Sequence, residues 1–213
     1  YGAFIIGGDT NEASDLIISL SAFGLAKKND VILRSGAKPE DTVAVTGTFG
    51  KTSAGLKILL ENCKAPTEIY GSILEAVYMP KARLKEGLAL SASKAVTSAI
   101  DSSDGLAWSL YELSKASNVG FLLENVPVAN EAIKFAEINH LDPLELALYG
   151  GEEYELVLTI NPNLWDKAEK AIKSVGGNLI KIGRATTKKQ MVLEVDGKRR
   201  IIEPRGWEHF RKR

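Results

Sequence analysis

One cysteine and two histidines in 213 residues leave little material for soft-metal or disulfide chemistry. Cys63 has no second thiol to pair with, which excludes an internal disulfide and suits a reducing compartment. Its setting, a helix tail, carries no electropositive signature, so a buried or incidental thiol is expected rather than a nucleophile. His140 and His209 stand far apart, and no Cys/His spacing resembles a zinc site. Neither sign of charge prevails, since 27 Lys and Arg match 27 Asp and Glu. That balance argues against a general nucleic-acid binder, which carries a marked basic excess. The basic ending Arg211-Lys212-Arg213 reads as a solvated tail. No apolar run approaches the ~20 residues of a membrane span. No charged segment precedes a short apolar core as in a signal peptide. Internal repeats and low-complexity segments are absent too.

What is present is ordinary for a globular chain: 45% hydrophobic and 25% charged residues. The length suffices for a substantial core. The chain opens at Tyr1 rather than Met, and Tyr1 to Asp9 reads as the end of a strand entering a turn, so upstream sequence is expected. Leu16 to Leu25 is rich in strand formers and is expected to be a buried strand. Lys27-Lys28-Asn29-Asp30 marks the expected domain boundary, dividing residues 1–30 from 31–213. Helices are expected over Leu56–Leu60, Leu84–Ser93, from Leu106 to a stop at Gly120, over Asn130–Glu137 and over Leu164–Val175. Strands are expected at Thr42–Thr46, Ala95–Ile100, Phe121–Leu123, Tyr154–Thr159, Leu179–Ile182 and Met191–Val195. Asp196-Gly197 makes the turn into Arg199–Ile202. Strands and helices mix without strict alternation, which gives an α+β fold class.

The densest chemistry lies in Ile100-Asp101-Ser102-Ser103-Asp104-Gly105-Leu106. Two carboxylates and two hydroxyls crowd a strand-to-helix junction. Oxygen donors suit a hard cation such as Mg²⁺, and unpaired N–H groups at a helix start favour phosphate. The plainer reading is an N-cap, which accounts for one of the four residues but not for the cluster. Gly7-Gly8-Asp9-Thr10 adds a third carboxylate beside a permissive backbone; alone, it reads as a turn in which Asp9 bonds its own backbone. Glu152-Glu153-Tyr154-Glu155 follows a glycine pair. Alternation there puts Glu153 and Glu155 on one face, Glu152 and Tyr154 on the other. Trp207 offers a stacking surface, or simply a packing aromatic. Gly47-Thr48-Phe49-Gly50-Lys51-Thr52 looks like a phosphate-binding loop, but only two residues separate its glycines where four are needed. A tight strand-to-helix turn is expected instead.

Taken in order, Gly7–Thr10, Arg34-Ser35-Gly36-Ala37-Lys38-Pro39, Ile100–Leu106, Gly150–Leu156 and Gly206-Trp207-Glu208-His209-Phe210 resemble the thiamine-monophosphate kinase family. That family belongs to the superfamily of aminoimidazole ribonucleotide synthetase, and the resemblance covers nearly the whole chain. It implies transfer of a phosphoryl group from ATP to thiamine monophosphate, giving thiamine diphosphate, with Mg²⁺ as cofactor, in the cytoplasm. It implies Asp9, Asp101 and Asp104 as Mg²⁺ ligands. It implies Gly8, Asp9, Arg34 and Ser103 at ATP, and Glu152 and Trp207 at the thiamine substrate. Residues 1–30 would be the remnant of an N-terminal α/β domain that binds ATP and Mg²⁺ and forms a homodimer. Residues 31–213 would be the C-terminal α+β domain. Further acidic metal ligands would lie upstream. Glu153 departs mildly from the family, which often has Asp there. Two alternatives stand beside this reading: an ATP-dependent ligase of the same superfamily that closes an imidazole ring, and a non-catalytic nucleotide-binding or dimerisation fragment.

Overall fold

The computed structural model describes residues 2–207. Tyr1, the tail residues Glu208, His209 and Phe210, and the basic ending Arg211–Arg213 lie outside the described residues. The chain divides into two units, Tyr1–Val31 and Ile32–Arg213.

In the first unit every described residue is exposed, and the only regular element is a 3₁₀ turn over Lys28–Asp30. The strands expected at the start of the chain and at Leu16–Leu25 are not formed. Leu16 is 90% and Leu25 104% exposed. Strand-forming residues adopt a strand when a ladder and a buried face are available, and this unit contains neither. Asp9 bonds locally, accepting from the Thr10 N–H at 2.9 Å and from Asn11 Nδ2 at 3.4 Å.

The second unit is an α+β domain on a seven-stranded sheet. Its strands are β1 (Thr42–Val45), β2 (Val96–Asp101), β3 (Gly120–Leu123), β4 (Leu156–Ile160), β5 (Ile180–Thr186), β6 (Met191–Val195) and β7 (Lys198–Ile201), in the order β2-β4-β1-β5-β3-β6-β7. All pairs are antiparallel except β3 with β6. The helices are α1 (Lys51–Glu61), α2 (Thr67–Tyr78), α3 (Leu84–Ser93), α4 (Leu106–Ser117), α5 (Asn130–Ile138), α6 (Pro143–Tyr149) and α7 (Trp165–Lys173).

The two central strands β1 and β4 read as continuous apolar runs because both their faces are covered. On one face Val43, Val45 and Val157 pack with Leu106, Leu110 and Leu113 of α4. On the other, Ala44, Leu158 and Ile160 pack with Leu90 of α3 and with Ala168 and Ile172 of α7. Helices α1, α2, α5 and α6 bury a separate cluster around Ile58, Ile73 and Phe135. Helix α4 stops earlier than expected. Its cap is Asn118, with φ 59°, while Gly120 opens β3, where an added Cβ would strike the Lys188 carbonyl. At the β6–β7 hairpin Asp196 and Gly197 have φ of 52° and 72°, the left-handed pair that a two-residue turn of this kind requires.

Candidate active site

Strands β2 and β4 are antiparallel neighbours, with Asp101 opposite Leu156. The end of β2 therefore lies beside the start of β4, and the loops 101–105 and 151–155 run together. The Ser102 N–H donates to the Glu155 carbonyl at 2.8 Å. The N–H groups of Glu152 and Tyr154 donate to the carbonyls of Ser103 (2.7 Å) and Ser102 (2.9 Å). The C-terminal tail joins the same cluster: the Trp207 N–H donates to the Asp104 carbonyl at 2.9 Å. An added Cβ at Gly206 would strike that carbonyl and the Trp108 side chain. Further back, Tyr111 Oη donates to the Ile202 carbonyl at 2.8 Å, and Arg205 pairs with Glu145 over the Tyr149 ring. Asp101, Ser103, Asp104, Glu152 and Trp207 thus belong to one end of the sheet.

None of the four polar residues caps α4. Its N-cap is Gly105, at φ 112°, without a side-chain cap. Packing selects glycine there, since an added Cβ would lie 3.2 Å from the carbonyls of Leu148 and Gly150. No side chain caps the first turn of α4, which follows directly on the acidic loop. Ser102 is fully buried, and its Oγ has no hydrogen-bond partner among the described residues. The Tyr154 phenol is pushed above its usual pKa, first by burial and then by the carboxylates of Glu152, Asp101 and Asp104. These three carboxylates therefore share one region of negative potential.

Hard oxygen donors in such a field suit Mg²⁺ held partly by phosphate, which takes one or two protein carboxylates and leaves its other positions to phosphate and water. Among the described residues no group of three or more His, Cys, Asp and Glu side chains is arranged to hold a metal ion. Asp101 ends β2, and Asp104 stands just before α4. Gly8 and Asp9 belong to the first unit. Arg34 is seated by the second half of α4, with Nη1 3.8 Å from Glu112 Oε2 and its carbonyl accepting from Ser117 Oγ at 3.3 Å. Ser103 precedes the first turn of the same helix.

The segment Gly47–Thr52 is the expected strand-to-helix turn, and α1 begins at Lys51. An internal carboxylate occupies the N-terminus of that helix. Glu153 Oε1 accepts from the Gly50 N–H at 2.6 Å and the Thr52 N–H at 3.3 Å. Lys51 is also engaged, bonding Ser72 Oγ at 2.9 Å and Glu131 Oε1 at 3.3 Å. Burial raises the Glu153 carboxyl above its ordinary pKa, against the hydrogen bonds from Thr52 and Gly50. Glu155 is 6% exposed and takes a two-pronged bond from Arg83, with Nε to Oε2 at 2.8 Å and Nη2 to Oε1, plus a 2.6 Å bond from Thr46 Oγ1. Gly47 has no side chain because the Glu155 carboxylate fills that space. Glu153 and Glu155 line a cavity of about 440 Å³ together with Lys51, Ser72, Glu75 and Arg83; Asp101, Asp104, Glu152 and Trp207 do not. The expected division of the four residues holds, although left-handed turns at Glu152 and Tyr154 produce it rather than a strand.

Arg83 carried no signal in the sequence, and Thr52 showed only as the end of the loop-like segment Gly47–Thr52, because each acts on a loop far along the chain. Tyr154 was legible only as the residue alternating with two glutamates.

No family model matches the chain. Over 99% of its length it is 38% identical to the thiamine-monophosphate kinase of Nitrosopumilus maritimus and 35% identical to that of Pyrococcus horikoshii. The matches span 66% and 63% of those relatives, so the chain covers about two thirds of their length. Among solved structures it is similar to AaThiL complexed with AMPPCP and TMP, with a TM-score of 0.69 and 30% identity, over 84% of this chain and 54% of that one.

Proposed function

We propose, on the premise that this chain belongs to the thiamine-monophosphate kinase family, that it serves an ATP- and Mg²⁺-dependent transfer of a phosphoryl group to thiamine monophosphate. The observation that carries this reading is the meeting of the acidic loop, the Glu152 loop and the Trp207 tail through backbone hydrogen bonds. A similar chain of known structure binds AMPPCP and TMP.

The chemistry fits these residues. The acceptor is a phosphate oxygen, already ionised near neutral pH, so no strong general base is needed. Transfer then depends on holding two anions in line and offsetting their charge. Asp101 and Asp104 would hold Mg²⁺, which when bound supplies that neutralisation. Arg34 and Ser103 would contact ATP, and the uncapped first turn of α4 offers phosphate its N–H groups. Trp207 would stack on the cationic ring of thiamine while Glu152 offsets its charge. The exposed apolar side chains of residues 2–31, among them Ile5, Leu16 and Leu20, fit burial in a homodimer. Among the described residues no helix is long and apolar enough to cross a membrane; the cytoplasmic location we propose rests on the family resemblance.

The test incubates full-length protein with Mg²⁺, ATP and either thiamine monophosphate or formylglycinamidine ribonucleotide, then identifies products by mass. Thiamine diphosphate supports the kinase. Aminoimidazole ribonucleotide would point to the ligase, and no product from folded protein would favour a non-catalytic role.

A further inference from the structure

Glu152 and Tyr154 have φ of 66° and 53°, a backbone region that side-chain-bearing residues adopt at a cost. Such a conformation persists only where its surroundings over-determine it. Here three hydrogen-bonded contacts determine it. Thr52 Oγ1 donates to the Gly151 carbonyl at 2.7 Å, just before Glu152. The Glu152 N–H is held by Ser103 at 2.7 Å. Just after it, the Glu153 side chain runs the opposite way and binds the N–H groups of Gly50 and Thr52. Glu152 is exposed while Glu153 lines the cavity against α1.

We propose that Glu153 is a positioning residue: its carboxylate, seated in the first turn of α1, turns the neighbouring Glu152 toward the thiamine-monophosphate site. A helix start offers unpaired N–H groups, so a side-chain oxygen acceptor is readily held there. Thr52 doubles the clamp, because its hydroxyl and its N–H grip the same loop on both sides of Glu152. The segment that mimics a phosphate loop therefore acts as an internal receptor for a glutamate. This inference rests on the reading that Glu152 contacts the thiamine substrate.

The test is steady-state kinetics on the full-length protein, varying thiamine monophosphate and ATP separately. Glu153→Ala should raise KM for thiamine monophosphate about tenfold and leave KM for ATP within about twofold. Glu153→Gln keeps an oxygen acceptor and should stay within about threefold of wild type for both substrates. Because Glu153 acts through Glu152, adding Glu153→Ala to Glu152→Ala should cost less than about twofold more. Thr52→Val keeps the shape but loses the hydroxyl, and should raise KM for thiamine monophosphate in the same sense; it decides the matter if Glu153→Ala does not fold. Equal rises in both KM values, an unchanged KM for thiamine monophosphate, or a full effect in the Glu152→Ala background would overturn the proposal. Wild-type protein that does not phosphorylate thiamine monophosphate would overturn the functional reading first, and this inference with it.

Discussion

The backbone N–H of Trp207 donates to the carbonyl of Asp104 at 2.9 Å. This bond ties the residue read as the stacking partner of the substrate to a residue read as a metal ligand. The contact runs through the backbone of both, so either side chain can be changed without removing it. Substrate and metal roles can therefore be probed separately.

Trp207→Ala should weaken binding of thiamine monophosphate by about 1–2 kcal/mol, roughly tenfold, through loss of a cation–π face. The apparent affinity for Mg²⁺–ATP should hardly change. Calorimetric titration of the full-length protein with each ligand checks this. Equal weakening of both would mean that the ring only packs the tail.

Asp104→Asn should leave the protein folded and abolish most of the Mg²⁺-dependent component of ATP binding, because one anionic ligand is lost. The measurement is ATP titration with and without Mg²⁺, beside a thermal melt. A Mg²⁺ dependence that survives the substitution would remove Asp104 from the metal site.

Arg83→Ala leaves the buried Glu155 carboxylate with Thr46 as its remaining side-chain donor. Breaking a buried ion pair from one side costs about 3 kcal/mol. Adding Glu155→Gln should recover part of the loss, since the uncompensated charge is then gone. Urea unfolding of the three proteins tests both steps, and a loss below about 1 kcal/mol in Arg83→Ala would place the pair among ordinary surface bridges.

The pH dependence of stability should report Glu153. Burial holds its carboxyl above the ordinary value of 4.5. A raised folded-state value means that folding favours the protonated form. Its stabilising contribution is therefore complete below the unfolded value and is lost as pH rises through the folded one. Glu153→Gln has no such proton to lose. Relative to wild type, the variant should gain stability as pH rises from about 4 toward neutrality. Urea unfolding across that range checks the sign; a flat difference, or one moving toward wild type, would contradict it.

Local signals carried much of the domain. The range Leu84–Ser93 is legible from Met79-Pro80 and the apolar spacing that follows, and the hairpin at Asp196-Gly197 from two residues. Helix α6 carries a local signal too, since Asp142 caps it at 2.8 Å from the Leu144 N–H with Pro143 in the first turn. The acidic junction at Asp101–Asp104 shows in composition alone. Turn chemistry and periodicity act within a few residues, so they survive in the linear order. Leu16–Leu25 shows the limit of such signals: its residues favour a strand, but a strand exists only with a partner to complete its ladder.

What required the tertiary structure was everything that depends on the order β2-β4-β1. That order sets the loop after β2 and the turn after β1 on either side of the 151–155 loop. It brings Glu153 to a helix start 103 positions earlier, and Glu155 to Arg83 across 72 positions. It also decides what each carboxylate meets: Glu153 takes the backbone N–H groups of Gly50 and Thr52, and Glu155 takes the side chains of Arg83 and Thr46. Alternation in the sequence separates Glu152 from Glu153 and Glu155, but it does not name their partners, because those donors arrive from distant parts of the chain.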